Sequence, residues 1–294
     1  MRSAWLAAIA CAAGLVMGGC GGAKEGAESP TGGTLSLIAA ESIAPIVEKE
    51  ALEFQRLYAK AVITSSTTTT REALALFGNR EARMVVISRG LTVDEKKSLD
   101  VPGFEYGIFA LAKVGIAVVV NKENPVERLN LEQLRGIYTG RIASWEEVGG
   151  MGGRITPISL SRNSGPAEVF VQALGLDAGL APDIRVVASS RDLPAAVAAD
   201  PAAIGFVGMN WLSDQVKAVA LAGDGSGDFI AVHQASVYNG SYPLVETAYA
   251  LTTAGSYTLA SGFISFMASA PGQKLFLDSG LVPVTMPVKL IRLD

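Results

Sequence analysis

The sequence predicts an α/β protein. Short β-branched runs alternate with amphipathic helical runs, Gly115 to Val120 (GIAVVV) is apolar without a break, and hydroxyl-bearing turns stand where strands hand over to helices. Such alternation implies parallel strands with helices on both faces. An unbroken apolar run suits a strand buried on both faces.

Taken in order, Leu35 to Ile38 reads as a strand. Pro45 to Ala59 reads as a helix with Ile46, Val47, Leu52, Phe54 and Leu57 as its apolar face. Ala61 to Ile63 is a strand, Arg71 to Phe77 a helix and Met84 to Ile87 a strand. After the 115–120 strand, Leu131 to Tyr138 is a helix, Ile155 to Leu160 a strand and Ala167 to Leu174 a helix. Ile204 to Val207 is a strand, and Thr258 to Ala270 reads as one long helix.

The N-terminal segment has the form of an export signal. Arg2 supplies a short positive region, and residues 4–17 form an apolar run too short for a comfortable membrane span. Met17-Gly18-Gly19-Cys20 follows, resembling a bacterial lipobox, so residues 1–19 are expected to be removed and Cys20 to carry lipid. Residues 20–33 are rich in Gly, Ala and charge with little to bury, and are expected to form a flexible tether. Its reach as a random coil is roughly 20 Å. The two cysteines are Cys11 and Cys20, so the mature domain contains no disulfide and rests on its core.

Loss of Arg2 takes 24 basic residues to 23 against 28 acidic ones, moving the net charge from −4 to −5. A mildly acidic chain without clustered Lys and Arg argues against nucleic acid binding. A small anion would then have to be held locally, by hydrogen bonds.

In parallel α/β sheets ligands bind beyond the carboxyl ends of strands. Helix N-termini there offer free N–H groups and a partial positive charge. Four turns of this chain fit that description. Ala39 to Pro45 contains Ser42, which can cap the following helix. Thr64 to Thr70 is a run of hydroxyls leading to Arg71. Ser88-Arg89-Gly90 closes the third strand. Arg162-Asn163-Ser164-Gly165-Pro166 brings a guanidinium, a hydroxyl and a helix start together. Any one alone reads as ordinary capping; four at equivalent strand ends point to a shared anion pocket.

Residues 115–166, from GIAVVVNKENPV through LNLEQL and TGRIASW to SRNSGP, resemble the periplasmic phosphate-binding protein family of the phosphate ABC transporter. Ile204 to Val207 and the run GFISFMASAPGQKLFLDSGLVPV are similar to the family's closing elements. The resemblance implies a two-lobed type II periplasmic-binding-protein fold. Each lobe would be a mixed sheet flanked by helices, and two crossover strands would form a hinge. It implies a first lobe of residues 34–112 and 242–294, a second of 113–241, and a second crossover near Tyr238 to Tyr249. It further implies phosphate, or a related oxyanion, held between the lobes for an ABC permease, with no cofactor, no metal and no catalysis, in a monomer tethered to the cell envelope.

Carried over by position, the implied ligand residues are Glu41 and Ser42, Thr67 with Ser66 and Thr68 beside it, Ser88 and Arg89, and Arg162, Ser164 and Gly165. The family's carboxylate accepts the proton of hydrogen phosphate, a role that would fall to Glu41. The chain departs from the family where Glu41 interrupts the first loop, where the second loop lacks Gly-Ser-Gly, and where Pro166 replaces a threonine. A transporter-free anion sensor or scavenger, or a phosphatase on the same fold, are the alternatives. Against the latter, His233 is the sole histidine and is expected at the surface or hinge. Trp145, Trp211, Phe263, Phe266 and Met267 are expected in the core, and Gly149 to Gly153 in a surface turn.

Overall fold

The computed structural model describes residues 28–176 and 179–285. The signal segment, Cys20 and residues 20–27 lie outside the described residues.

The chain opens with β1 (Gly32–Ala40), α1 (Ala44–Leu57), β2 (Lys60–Thr68), α2 (Thr70–Gly78), β3 (Met84–Ile87) and α3 (Val93–Leu99). The long β4 (Gly107–Asn121) follows, then β5 (Arg128–Asn130), α4 (Leu131–Tyr138), β6 (Thr156–Leu160) and α5 (Gly165–Ala173). Next come β7 (Arg185–Val187), α6 (Asp192–Ala198), β8 (Ala203–Gly208), β9 (Val216–Ala218), β10 (Ala220–Ala222) and α7 (Gln234–Tyr238). The chain closes with β11 (Val245–Thr252), α8 (Leu259–Ala268), α9 (Ala270–Asp278) and β12 (Val282–Pro283).

Strand order along the main sheet is β2-β1-β3-β11-β4-β8-β6-β7. The outer pairs β1–β2, β1–β3, β6–β7 and β6–β8 are parallel. The middle is antiparallel, through β11–β3, β11–β4 and β4–β8. The expectation of parallel strands therefore holds at both flanks and fails in the middle, where β4 and β11 run through the sheet in opposite directions.

Two lobes are visible as two packed cores. One gathers Leu37, Val47, Phe54, Met84, Val86, Leu111, Phe263 and Phe276, with a smaller cluster around Phe77, Val85 and Leu99 behind it. The other gathers Val118, Val120, Leu134, Tyr138, Phe170, Leu193 and Phe206. There the Phe170 and Phe206 rings stack with centroids 3.8 Å apart. β4 serves both cores: Leu111, Ala112 and Val114 pack in the first, and Ile116 to Val120 in the second. Its apolar run is longer than expected because it crosses between two interiors.

Other boundaries shift for local reasons. β1 begins at Gly32, and Ser29 bridges to Gly32, so the end of the expected tether is folded onto the domain. The helix expected over 258–270 is two helices: Ser269 is extended at φ −77°, ψ 167°, and Pro271 starts α9. Proline is favoured in a first turn and removes an interior hydrogen bond. Trp145, Phe263, Phe266 and Met267 are buried as expected. His233 caps α7, its Nδ1 accepting from the Ser236 N–H at 2.9 Å.

Candidate functional site

The carboxyl ends of β1, β2 and β3 lie side by side in the first lobe, because β1 pairs in parallel with both neighbours. Those of β6 and β7 lie side by side in the second. Where the two sets meet, the chain places its polar turns.

At the end of β1, Ser42 is buried, 4 % exposed, and its Oγ has no hydrogen-bond partner among the described residues. The expectation that Ser42 caps α1 fails: Ile43 holds the cap position and no side chain caps the helix. The Ser42 carbonyl instead accepts from Trp211 Nε1–H at 2.8 Å and Asn210 Nδ2–H at 3.1 Å, both just beyond β8. Trp211 is thus half-buried against the second core and also a bridge between the lobes. Neighbouring Glu41 also spans the cleft. Ser190 donates its N–H to Oε2 and its hydroxyl to Oε1, each at 3.0 Å. Burial pushes the Glu41 carboxyl above its ordinary range, Ser190 pulls it back and Asp192 adds to the rise.

The second turn begins later than expected. Thr64 to Thr68 belong to β2, where Thr67 pairs with Ala39 and is exposed. Thr69 caps α2, accepting from the Glu72 N–H at 3.3 Å. Thr70 takes the inward place: it is fully buried and its Oγ1 lies 3.1 Å from Ser88 Oγ. Ser88, at the end of β3, is 1 % exposed.

α5 approaches this pair from the other lobe. Ser164 caps it, accepting from the Ala167 N–H at 3.4 Å. A Cβ on Gly165 would fall 1.9 Å from Ser88 Oγ and 2.9 Å from Thr70 Oγ1. Only glycine permits that approach. The Arg71 N–H donates to the Asn163 carbonyl at 3.3 Å across the same gap. Ser88, Thr70, Ser164 and Gly165 thus gather at the starts of α2 and α5, in an arrangement rich in hydrogen-bond donors and suited to an anion.

The basic residues divide. Arg89 is buried, and its guanidinium is held by Glu95 at 2.7 and 2.8 Å and by Glu168 at 2.5 Å. Burial pulls this group down, but the hydrogen bonds to Glu95 and Glu168 outweigh it and hold the positive charge. Glu95 is also the capping-box partner of Thr92 at the start of α3. Arg71 joins Glu168 as well, its Nε donating at 3.0 Å. Glu168 therefore ties the second lobe to two arginines of the first and is not the partner of Arg162. Arg162 is exposed and has no acidic partner among the described residues. It lines a cavity of about 900 Å³ together with Arg71, Arg89, Glu168, Ser159 and Glu246.

Glu246, on β11, was not expected. It is 4 % exposed and its Oε2 has no partner among the described residues. Burial pushes its carboxyl well above the ordinary range; Glu41 adds to this and Arg89 opposes it. The signal was present in the sequence: Glu246 has the same alternation phase as the buried Ala248 and Ala250, where an apolar residue is the rule. Among the described residues no group of His, Cys, Asp and Glu could hold a metal ion, and no helix is long and apolar enough to cross a membrane.

Comparison with known proteins agrees with this geometry. Residues 25–271 match a family model described as a PBP superfamily domain. The phosphate-binding protein PstS of Bacillus subtilis is 26 % identical over 281 residues, covering 92 % of this chain and 90 % of that protein. Its namesake from Staphylococcus saprophyticus is 27 % identical, covering 88 % and 82 %. Among solved structures, a putative phosphate ABC transporter substrate-binding protein with bound phosphate from Clostridium perfringens superposes with a TM-score of 0.78. It is 25 % identical and covers 86 % of this chain and all of that one. An ABC-type phosphate transport receptor from Vibrio cholerae gives 0.70 at 25 % identity, covering 84 % and 99 %.

Proposed function

This chain belongs to the PBP superfamily, and from that premise we propose that it captures phosphate, or a similar small oxyanion, between its lobes and delivers it to an ABC permease. The observation that carries the reading is the partnerless, buried Ser42 Oγ at the start of α1, at the strand edge that also bears Thr70 and Ser88. A buried hydroxyl without a partner costs about 1–3 kcal/mol, which an anion in the cleft would recover. Thr70, Ser88, Ser164 and the N–H groups at the starts of α2 and α5 supply the other donors, and Arg162 the charge. Arg89 acts through its ion pairs, fixing the third loop and α5. The relatives named for phosphate, including one solved with phosphate bound, support the ligand class.

The lobes comprise residues 34–112 with 242–294, and 113–241, hinged on β4 and on the entry to β11. The chain is a monomeric binding protein without catalytic function. It is exported and held to the cell envelope through lipid on Cys20, on the periplasmic side or the outer surface; the lipobox-like Met17 to Cys20 supports this. Calorimetry of the tether-free domain against phosphate, arsenate, sulfate and molybdate tests the ligand. Saturable phosphate binding is expected, and its absence would overturn the reading. Cys20→Ser should release the protein from membranes or block its maturation; unchanged membrane association and processing would remove the anchor.

A further inference from the structure

Glu41, Glu95 and Glu168 all have partners at the closed cleft, whereas among the described residues Arg162 has no acidic partner and Glu246 keeps an oxygen without one. Both oxygens of Glu41 accept from Ser190. The guanidinium of Arg89 is divided between Glu95, Glu168 and the Gly90 carbonyl. Glu168 is shared by Arg71 and Arg89. Glu246 alone combines near-complete burial, a place in the cavity wall and an oxygen without any hydrogen bond. Its strand, β11, is one of the two that run through both lobes, and Glu246 lines the cavity beside Arg71, Arg89 and Arg162.

We propose that Glu246 is a specificity-determining residue of the cleft, hydrogen-bonding directly to the bound oxyanion. The proposal rests on the oxyanion-binding reading above. It moves the acid contact from Glu41, whose oxygens are occupied, to Glu246.

The direction of the hydrogen bond follows from the surroundings. A carboxylate facing an anion repels it, whereas a carboxylic acid donates to it. Burial and the nearby Glu41 favour the acid form of Glu246. Arg89 opposes them, but its charge is already matched by Glu95 and Glu168. Arg71 is matched by Glu168, and Arg162 lies on the same cavity wall. On β4 the register partner of Glu246 is Val114, and Lys113 pairs with Thr247 instead. Glu246 therefore donates an O–H to the ligand and asks no proton of it. A site built this way accepts sulfate, which carries no proton near neutral pH, as well as hydrogen phosphate. A site reading the ligand's proton with an ionised carboxylate would reject sulfate. The linkage has one sign: anion affinity falls as pH rises through the ionisation of Glu246 in the free protein.

The test is calorimetry with inorganic phosphate and sulfate on the parent, Glu246→Ala and Glu246→Gln, each first shown to be folded by its melting transition. The parent should bind both anions. Glu246→Ala should weaken both, roughly 10- to 100-fold. Glu246→Gln, whose amide also donates, should recover most of that loss. Unchanged affinity in Glu246→Ala would remove the contact. A parent that rejects sulfate, with phosphate binding lost in Glu246→Gln, would make Glu246 an acceptor and overturn the proposal. In either case parent phosphate binding leaves the wider reading standing. A parent that binds neither anion defeats that reading, and the role of Glu246 with it.

Discussion

Glu50 and Glu246 are both buried glutamates with unpartnered oxygens, yet they sit in different regions and mean different things. Glu50 lies on α1, fully buried, on the face that also carries the core residues Val47 and Phe54. Burial, with a contribution from Glu53, raises its carboxyl to about 9. Glu50 does not line the cavity that Glu246 lines. Glu246 lines the wall between two lobes. An orphaned acid packed in a core is a cost to folding; the same acid on a closing cleft is a contact awaiting its ligand. Substitutions in the cleft should thus move affinity and leave melting nearly unchanged, and those behind α1 should do the reverse.

The largest effect is expected in the cleft. Arg162→Ala should cost about 2–5 kcal/mol in phosphate binding, roughly 30-fold to several thousand-fold in Kd. Arg162→Lys should recover only part, since an ammonium lacks the paired geometry of a guanidinium. Titration calorimetry reads both, and a change below about threefold would place Arg162 outside the ligand's reach.

The core gives the next largest effect. Glu50 is protonated in the fold up to about 9, while in the unfolded chain it ionises near 4.5. Below the unfolded value both states are protonated and its cost is least. Between the two values only the unfolded chain ionises, so stability falls by at most about 1.4 kcal/mol per pH unit. Glu50→Gln should abolish that slope, melting higher than the parent at alkaline pH and nearly level with it in mild acid, with phosphate affinity unchanged. Parallel melting curves for the two proteins across pH would show that Glu50 finds a partner or water.

Gly165→Ala probes the contact between lobes. The added methyl meets Ser88 Oγ and Thr70 Oγ1. An overpacked contact costs about 1–3 kcal/mol, and here the closed state bears it. Affinity should fall roughly 5- to 150-fold while melting of the unliganded protein changes little. Equal losses in both would mean the lobes stay closed without ligand.

Much of this protein was legible in its sequence. Strand and helix positions follow from local periodicity, and β3 and α4 carry the bounds expected of them. The placing of polar turns at strand ends followed from the same alternation, and Ser88, Ser164 and Gly165 do meet. What local pattern could not decide was which atoms remain free once the lobes close. Ser42 had the right chemistry to cap α1, but the bend after β1 gave the cap to Ile43 and left the hydroxyl unpaired. The threonine run offered several hydroxyls, and pairing of β2 with β1 through Thr68 chose Thr70 over Thr67. Glu41 met Ser190, 149 residues away, and Glu246 kept an oxygen without a partner among the described residues. Sequence fixes periodicity because backbone hydrogen bonding repeats over a few residues. Partners across a cleft are chosen only when distant strands pair and two cores pack, so only the tertiary structure could say which of these side chains were spent and which remained for a ligand.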